Sequence, residues 1–174
     1  MQKTITKSVS TRKTIYLTTT ALFAAMICIT TAYIFHIPFG TNGGYIHIGD
    51  ALIYLAASIL PTPYAVVAGA LGGFLADLFT APIWAPATLV IKALIVLPFT
   101  AKNKKIVTPR NILALVLAAI ISIIGYYIAE LILYGTAAVA LASIVSSLIQ
   151  AFCSSILFVV FGLALDKTKF KNKF

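Results

Sequence analysis

Apolar residues gather in six blocks along the chain, at positions 14–35, 48–60, 64–80, 85–101, 111–134 and 137–165. A helix that crosses a bilayer needs about 20 mostly apolar residues. The second block is well short of that; the others come nearer to it or exceed it. The breaks between blocks carry turn chemistry. Pro38, Gly40, Gly43 and Gly44 follow the first block, and Pro61 and Pro63 divide the second from the third. Pro82 and Pro86 divide the third from the fourth, Pro109 precedes the fifth, and Gly135 separates the last two. The pattern predicts an all-α membrane protein of six transmembrane helices, forming a single domain over residues 1–174.

Composition narrows the class further. The chain is 61% hydrophobic and 10% charged, with a mean hydropathy of +1.04. A soluble domain averages about 45–50% apolar and about 25% charged. A globule of 174 residues has too little core to hide this much apolar side chain. A soluble enzyme, a nucleic-acid-binding domain and a disordered chain are excluded on that ground.

The net charge of +9 changes meaning once its distribution is read. Lys3, Lys7, Arg12 and Lys13 precede the first block or end against it. Lys102, Lys104, Lys105 and Arg110 lie between the fourth and fifth. Lys167, Lys169, Lys171 and Lys173 follow the sixth. Only Lys92 sits inside an apolar block. Six spans put both termini on one side. With the N-terminus inside, every basic residue outside the membrane lies on the inner side, as the positive-inside rule demands. The expectation is cytoplasmic N- and C-termini in a multi-pass protein of the bacterial plasma membrane, with no nucleic-acid partner. Residues 1–32 also have a signal-peptide outline, with a basic start, an apolar centre and then Thr30-Thr31-Ala32. Their apolar run is longer than the usual signal core, so the first helix is read as retained; cleavage would leave five spans in the same orientation.

The third block carries two rows of small residues at every fourth position, Ala65-Gly69-Gly73 and Ala68-Gly72-Ala76. Such rows let membrane helices approach closely, and packing within the chain is the plain reading. The first block has Ala21 and Ala25 at the same spacing. Cys28 and Cys153 lie in apolar runs and read as small packing residues.

An ionisable side chain inside a span costs about 2.5–3.5 kcal/mol on insertion scales and usually faces a cavity or a partner. Asp50, Asp77, Lys92 and Glu130 are such residues. The predicted topology places all four in the outer half of the membrane, where a pocket open to the outside would lie. Asp77 and Lys92, on helices joined by a short loop, read as a structural ion pair, a role compatible with ligand contact. Asp50 follows Gly49 at a helix start and reads as an N-cap. Glu130 lacks an evident cationic partner in the sequence, which favours a ligand role. The loop 36–47, with Gly-Thr-Asn-Gly-Gly at 40–44, suits a lid, and Asn42, Tyr45 and His47 are its candidates to face a ligand. Trp84 reads either as an interfacial anchor or as a stacking surface for a flat heterocycle. Tyr126, Tyr127 and Tyr134 cluster near the end of the fifth block, and Gln150 lies midway down the sixth, where an amide wants a partner.

Motifs of catalysis are missing. There is no GxxxxGK[ST] phosphate loop, no HExxH, no Cys/His metal spacing and no Ser–His–acid set. The expectation is a protein that is not an enzyme, with no catalytic residues, metal or cofactor.

Three stretches carry a resemblance. They are Gly43-Gly44-Tyr45-Ile46-His47-Ile48-Gly49-Asp50, then Ala70-Leu71-Gly72-Gly73-Phe74-Leu75-Ala76-Asp77-Leu78, then Ala85-Pro86-Ala87-Thr88-Leu89-Val90-Ile91-Lys92. Together they resemble the substrate-binding S components of energy-coupling factor (ECF) transporters, most closely the branch for riboflavin-like and hydroxymethylpyrimidine-type substrates. The resemblance implies a six-helix protein that binds a vitamin or precursor from outside and docks on a transmembrane T component carrying two cytoplasmic ATPases. It implies that Ala21 and Ala25 match the family's Ala-x-x-x-Ala signature and face the T component. It also implies substrate contacts at Asn42, Tyr45, His47, Lys92, Glu130 and Gln150. Asp77, Trp84 and Tyr126 join these as candidates from the residue reading. The small polar set suits a compact neutral or weakly basic heteroaromatic ring: hydroxymethylpyrimidine first, then pyridoxine and riboflavin. The readings from other classes are a structural membrane subunit without a ligand and an autonomous proton-coupled transporter using Glu130 or Asp77.

Overall fold

The computed structural model describes residues 2–34, 37–38 and 45–173. Six helices follow one another: α1 (Gln2–Ala32), α2 (Gly49–Ile59), α3 (Thr62–Thr80), α4 (Ala85–Val96), α5 (Pro109–Tyr134) and α6 (Ala137–Lys167). Between α1 and α2 a two-residue strand β1 (Ile37–Pro38) pairs antiparallel with β2 (Tyr45–Ile46), Ile37 opposite Ile46. A 3₁₀ turn at Pro82–Trp84 leads into α4, and another at Phe170–Lys173 follows α6.

Four segments are long and apolar enough to cross a membrane: Thr11–Ala32, Thr62–Thr80, Pro109–Tyr134 and Ile144–Lys167. The other two helices are shorter. α4 has 12 residues, roughly 18 Å at about 1.5 Å per residue, against a hydrocarbon core of about 30 Å. The apolar block around it runs on to position 101, yet the helix stops at Val96. Pro98 has no N–H to return to the preceding turn, and the helix closes at Leu97, whose N–H bonds back three residues to the Leu94 carbonyl at 3.1 Å. α1, by contrast, begins at Gln2, well before its apolar block. Hydropathy marks where a helix suits lipid, not where its hydrogen bonds start.

The short α2 is the pillar of the bundle. All of its residues except Leu52 are buried, as expected for a helix that is apolar on every face. Tyr54 stacks on Phe99 with ring centroids 5.1 Å apart and meets the edge of Phe158 at 6.2 Å. The long helices surround this core and turn large aliphatics outward: Leu113, Val116, Ile120, Ile124, Ile128 and Ile132 form an exposed face of α5. Such a contiguous apolar face is what lipid contact requires.

The small residues of α3 set its distances to its neighbours. Both rows are buried. A Cβ on Gly72 would stand 2.7 Å from Ile27 Cβ and 2.9 Å from the Ala24 carbonyl oxygen, so α1 lies directly against it. A Cβ on Gly73 would stand 2.8 Å from Lys92 Cγ. One row therefore admits α1, and the other leaves room for the Lys92 stem on α4.

At the end of the bundle that carries the basic loop, polar groups tie the connections down. Asn111 Nδ2 donates to Ser58 Oγ (3.1 Å) and to the carbonyls of Thr100 (3.1 Å) and Ile106 (2.9 Å). Its Oδ1 accepts from the Thr100 N–H at 3.0 Å. Both carboxylate oxygens of Asp166 accept backbone N–H groups, from Ile106 at 2.7 Å and Val107 at 3.0 Å. Thr108 caps α5 by accepting from the Asn111 N–H, with Pro109 at the first helical position, where its missing donor costs nothing. Gly135, at φ 69°, ends α5 in the left-handed conformation that glycine adopts freely.

Candidate functional site

At the other end of the bundle, all six helices contribute to one cleft. It encloses about 690 Å³ of empty space, its open mouth included. Thr31 comes from α1, Asp50 from α2, Asp77 from α3 and Thr88 from α4. Ser122, Tyr126 and Glu130 come from α5, and Ser146, Ser147, Gln150 and Ala151 from α6. His47, just before α2, and Trp84, in the 3₁₀ turn before α4, complete the wall. The spacing on α5 shows how the sequence aims these groups. Ser122, Tyr126 and Glu130 lie at i, i+4 and i+8, one stripe of a helix, while Ile120, Ile124 and Ile128 point away.

The floor is an ion pair. Lys92 Nζ donates to Asp50 Oδ1 at 2.6 Å, and Gln150 Nε2 donates to Asp50 Oδ2 at 2.8 Å. Asp50 and Lys92 are each 1% exposed. One carboxylate thus links α2, α4 and α6, with both its oxygens engaged. Lys92 Nζ also stands 5.4 Å from the centroid of the Tyr126 ring, within range of a cation–π contact. Tyr126 in turn shares a hydrogen bond with Thr88, its hydroxyl 3.2 Å from Oγ1.

Two expectations about these charges are corrected. The buried partner of Lys92 is Asp50, not Asp77. The fully buried start of α2 lies across from α4, and Asp77 contributes only attraction from further off. Nor does Asp50 cap α2. Ile48 is at the N-cap position without a side-chain hydrogen bond, and the Asp50 carboxylate is turned into the bundle. Asp50 is therefore a site residue, which the sequence marks as a charge within a span but which reads there as a cap. Its signal was the position itself: an acid beginning a helix that is otherwise apolar all round.

Of the other candidates, His47, Asp77, Trp84, Tyr126, Glu130 and Gln150 line the cleft. Lys92 lies beneath it. His47 is buried, and its Nδ1 accepts the Gly49 N–H at 3.0 Å, which leaves the proton of a neutral ring on Nε2. Asn42 falls outside the described residues, and the placement of Tyr45 is described only as part of β2. Trp84 is 6% exposed, so it is no interfacial anchor. Its ring sits 6.2 Å from that of Tyr126 and 6.1 Å from that of Tyr134. Among the described residues, neither Trp84 Nε1 nor Ser122 Oγ makes a hydrogen bond, though both atoms are buried and both residues line the cleft. A buried polar atom left so costs stability, and a ligand in the cleft would recover it. Thr31, Ser122, Ser146 and Ser147 were not singled out by the sequence, because hydroxyl residues are common in membrane helices and only their placement distinguishes them. Ala21 and Ala25 lie on the exposed face of α1, away from the cleft. No group of three or more His, Cys, Asp or Glu side chains suited to a metal is found among the described residues. Cys28 and Cys153 are free thiols.

The bundle is apolar outside and encloses a cleft walled by residues of every helix, three carboxyl side chains among them. A family model described as the ECF-type riboflavin transporter, S component, matches residues 10–167, and the chain belongs to that family. A protein of Pyrococcus woesei, described as an uncharacterized protein in the gap 3' region, is 32% identical over 123 residues, which is 70% of this chain and 82% of that one. A solved structure described as the S component of a bacterial ECF transporter shares the fold. Its TM-score is 0.73 at 24% identity, over 90% of this chain and 98% of that chain. Membership makes the chain a multi-pass membrane protein and a substrate-binding subunit of an ECF importer, not an enzyme. It brings with it a T component, ATPase partners and a small vitamin substrate.

The ion pair makes a quantitative prediction. Lys92→Ala leaves the Asp50 charge buried without its cation and should destabilise the protein by about 3–5 kcal/mol. The double variant Lys92→Met with Asp50→Asn should recover most of that loss in thermal melts in detergent. If Asp77→Asn rescues Lys92→Ala equally well, Asp77 is the partner after all.

Proposed function

We propose that the chain binds a small, weakly basic heteroaromatic vitamin precursor at this cleft and delivers it inward, hydroxymethylpyrimidine being the first choice. The observation that carries this reading is the charge of the wall. Asp50, Asp77 and Glu130 are buried around the cleft, with Lys92 paired to Asp50. Three carboxyl groups at one cleft present acceptor oxygens, which suits a ligand that donates hydrogen bonds or carries a proton. An aminopyrimidine offers both, with N–H donors and a ring nitrogen that can be protonated. Trp84 and Tyr126 supply aromatic surface for the ring. The substrate contacts are assigned to Asn42, Tyr45, His47, Asp77, Trp84, Tyr126, Glu130 and Gln150, with Lys92 acting through Asp50. Riboflavin is a second reading, favoured by the description of the matching family model. Pyridoxine ranks between them.

In this proposal all six helices of the single domain lie within the membrane, the short α2 and α4 shielded by the longer ones, and both termini face the cytoplasm. The cleft then opens outward. Ala21 and Ala25 present a flat exposed face to the T component, and two ATPases bound to that component drive release inward.

Isothermal titration with hydroxymethylpyrimidine, pyridoxine and riboflavin should rank them in that order. Glu130→Gln should weaken the best ligand roughly 10- to 150-fold, the worth of a hydrogen bond to a charged group. Tight binding of riboflavin alone moves the assignment to the second reading, and no binding of any heterocycle favours a structural subunit.

Ala25→Trp should keep that affinity and abolish uptake in cells that express the T component and ATPases. Normal uptake by the variant would show that the alanine face does not dock. Uptake that persists without the ATPases would instead support autonomous proton-coupled transport.

Cysteine placed at position 135 should react with a membrane-impermeant maleimide added outside intact cells, and cysteine at position 103 should not. Labelling at 103 from outside would reverse the orientation.

A further inference from the structure

A second cleft lies at the opposite end of the bundle, lined by Tyr16, Ile59, Pro61, Ala101 and Asn103 together with Lys102, Lys104 and Lys171. Its empty space is about 600 Å³, open mouth included. The chain reaches it by a sharp reversal. Lys169 adopts a left-handed backbone, φ 52°, and turns the chain after α6 so that Phe170 packs against the hydrophobic core. The next residue, Lys171, is thereby carried inward. Its Nζ atom is buried and makes no hydrogen bond among the described residues. Desolvation pushes this ammonium below the ordinary lysine range, opposed by attraction from Asp166. Asp166 is the one acidic residue at this end of the chain. Each of its oxygens accepts a hydrogen bond, from the Ile106 and Val107 N–H groups, and its single charge is outnumbered by three lysines.

An ammonium nitrogen that is buried without a hydrogen bond among the described residues, lining one cleft with two further lysines, is an incomplete anion site. We propose that this cleft binds the phosphate of an anionic phospholipid headgroup, held by Lys171, Lys102 and Lys104. The surroundings decide for lipid over another anion source. Tyr16 and Tyr64 pair with ring centroids 5.3 Å apart, an aromatic contact of the sort found at headgroup depth. Ile15 and Leu17, on either side of Tyr16, are 41% and 61% exposed and offer apolar surface where acyl chains would lie. Basic pockets between helices at the cytoplasmic face suit such headgroups.

The test uses the full chain in a non-ionic detergent, with phosphatidylglycerol, phosphatidylcholine or inorganic phosphate added, read by melting temperature and by lipid retention in native mass spectrometry. Phosphatidylglycerol should raise the melting temperature and be retained; the other two should do neither. Lys102→Gln and Lys104→Gln should each weaken retention about fivefold, the worth of one lysine near an anionic surface. Lys171→Gln should melt higher than the parent without lipid, since it removes the uncompensated charge, and should lose most of the phosphatidylglycerol effect. Lys13→Gln, outside the cleft, should change neither reading. The proposal fails if Lys171→Gln responds to phosphatidylglycerol as the parent does. It fails equally if inorganic phosphate or phosphatidylcholine shifts the melt as much, which would mean a free-anion site or unspecific lipid contact. Lost uptake by Lys171→Gln with unchanged lipid retention would give the cleft to an acidic segment of a partner protein and overturn the lipid assignment.

Discussion

The site depends on a single buried contact, the Asp50–Lys92 pair with Gln150 on its second carboxylate oxygen. In water such a pair is worth little; inside an apolar bundle its two charges cannot be separated without leaving one stranded. That asymmetry locks three helices together at a defined height. α2 is fixed by Asp50, α4 by Lys92 and α6 by Gln150. Because the Lys92 stem passes beside Gly73, the small-residue row of α3 is tied to the same contact. The cleft is thus a consequence of where the pair sits: above it, the helices no longer converge on a common partner.

Some polar groups of the cleft wall are left without protein partners. The Trp84 indole and Ser122 hydroxyl are buried there and make no hydrogen bond among the described residues. A core optimised for stability alone would replace such groups with apolar ones of similar volume, often at no loss. Trp84 and Ser122 line the cleft, unlike Tyr54 and Ser154, whose hydroxyls are also buried without a hydrogen bond among the described residues; that placement is the physical reason for reading the first two as recognition groups.

Much of the helical plan could be read from the chain because lipid imposes a coarse, additive requirement. Blocks of apolar residues bounded by Pro61, Pro63, Pro82, Pro109 and Gly135 mark helices whatever their partners. The site was legible in residue type and not in pairing. Asp50, Asp77, Lys92 and Glu130 stand out because charge in an apolar run is rare, but which acid meets Lys92 depends on how α2 is buried across from α4. Sequence proximity favoured Asp77, one short loop away, whereas tertiary packing chose Asp50, which lies 42 positions away in the chain. The same limit hid the hydroxyl residues of α5 and α6. The helix ends were misread where backbone rules override hydropathy, at Pro98 and along the basic start of α1.

Charge along the bundle axis gives the remaining logic. Three of the four acidic residues lie at the cleft end, and all the basic residues but Lys92 lie towards the other. The arrangement satisfies two demands with one gradient. In the proposed orientation the basic end stays with the cytoplasmic side during insertion, and the acidic cleft faces the opposite side. In that orientation a negative cleft would raise the local concentration of solutes carrying positive charge, while the basic end would attract the anionic headgroups of the inner leaflet, as the lipid proposal requires. Asp166 offsets only part of that gradient: its carboxylate accepts the N–H groups of Ile106 and Val107 and still attracts Lys171. The one acidic side chain at the basic end fixes a loop, and the lysines outnumber it.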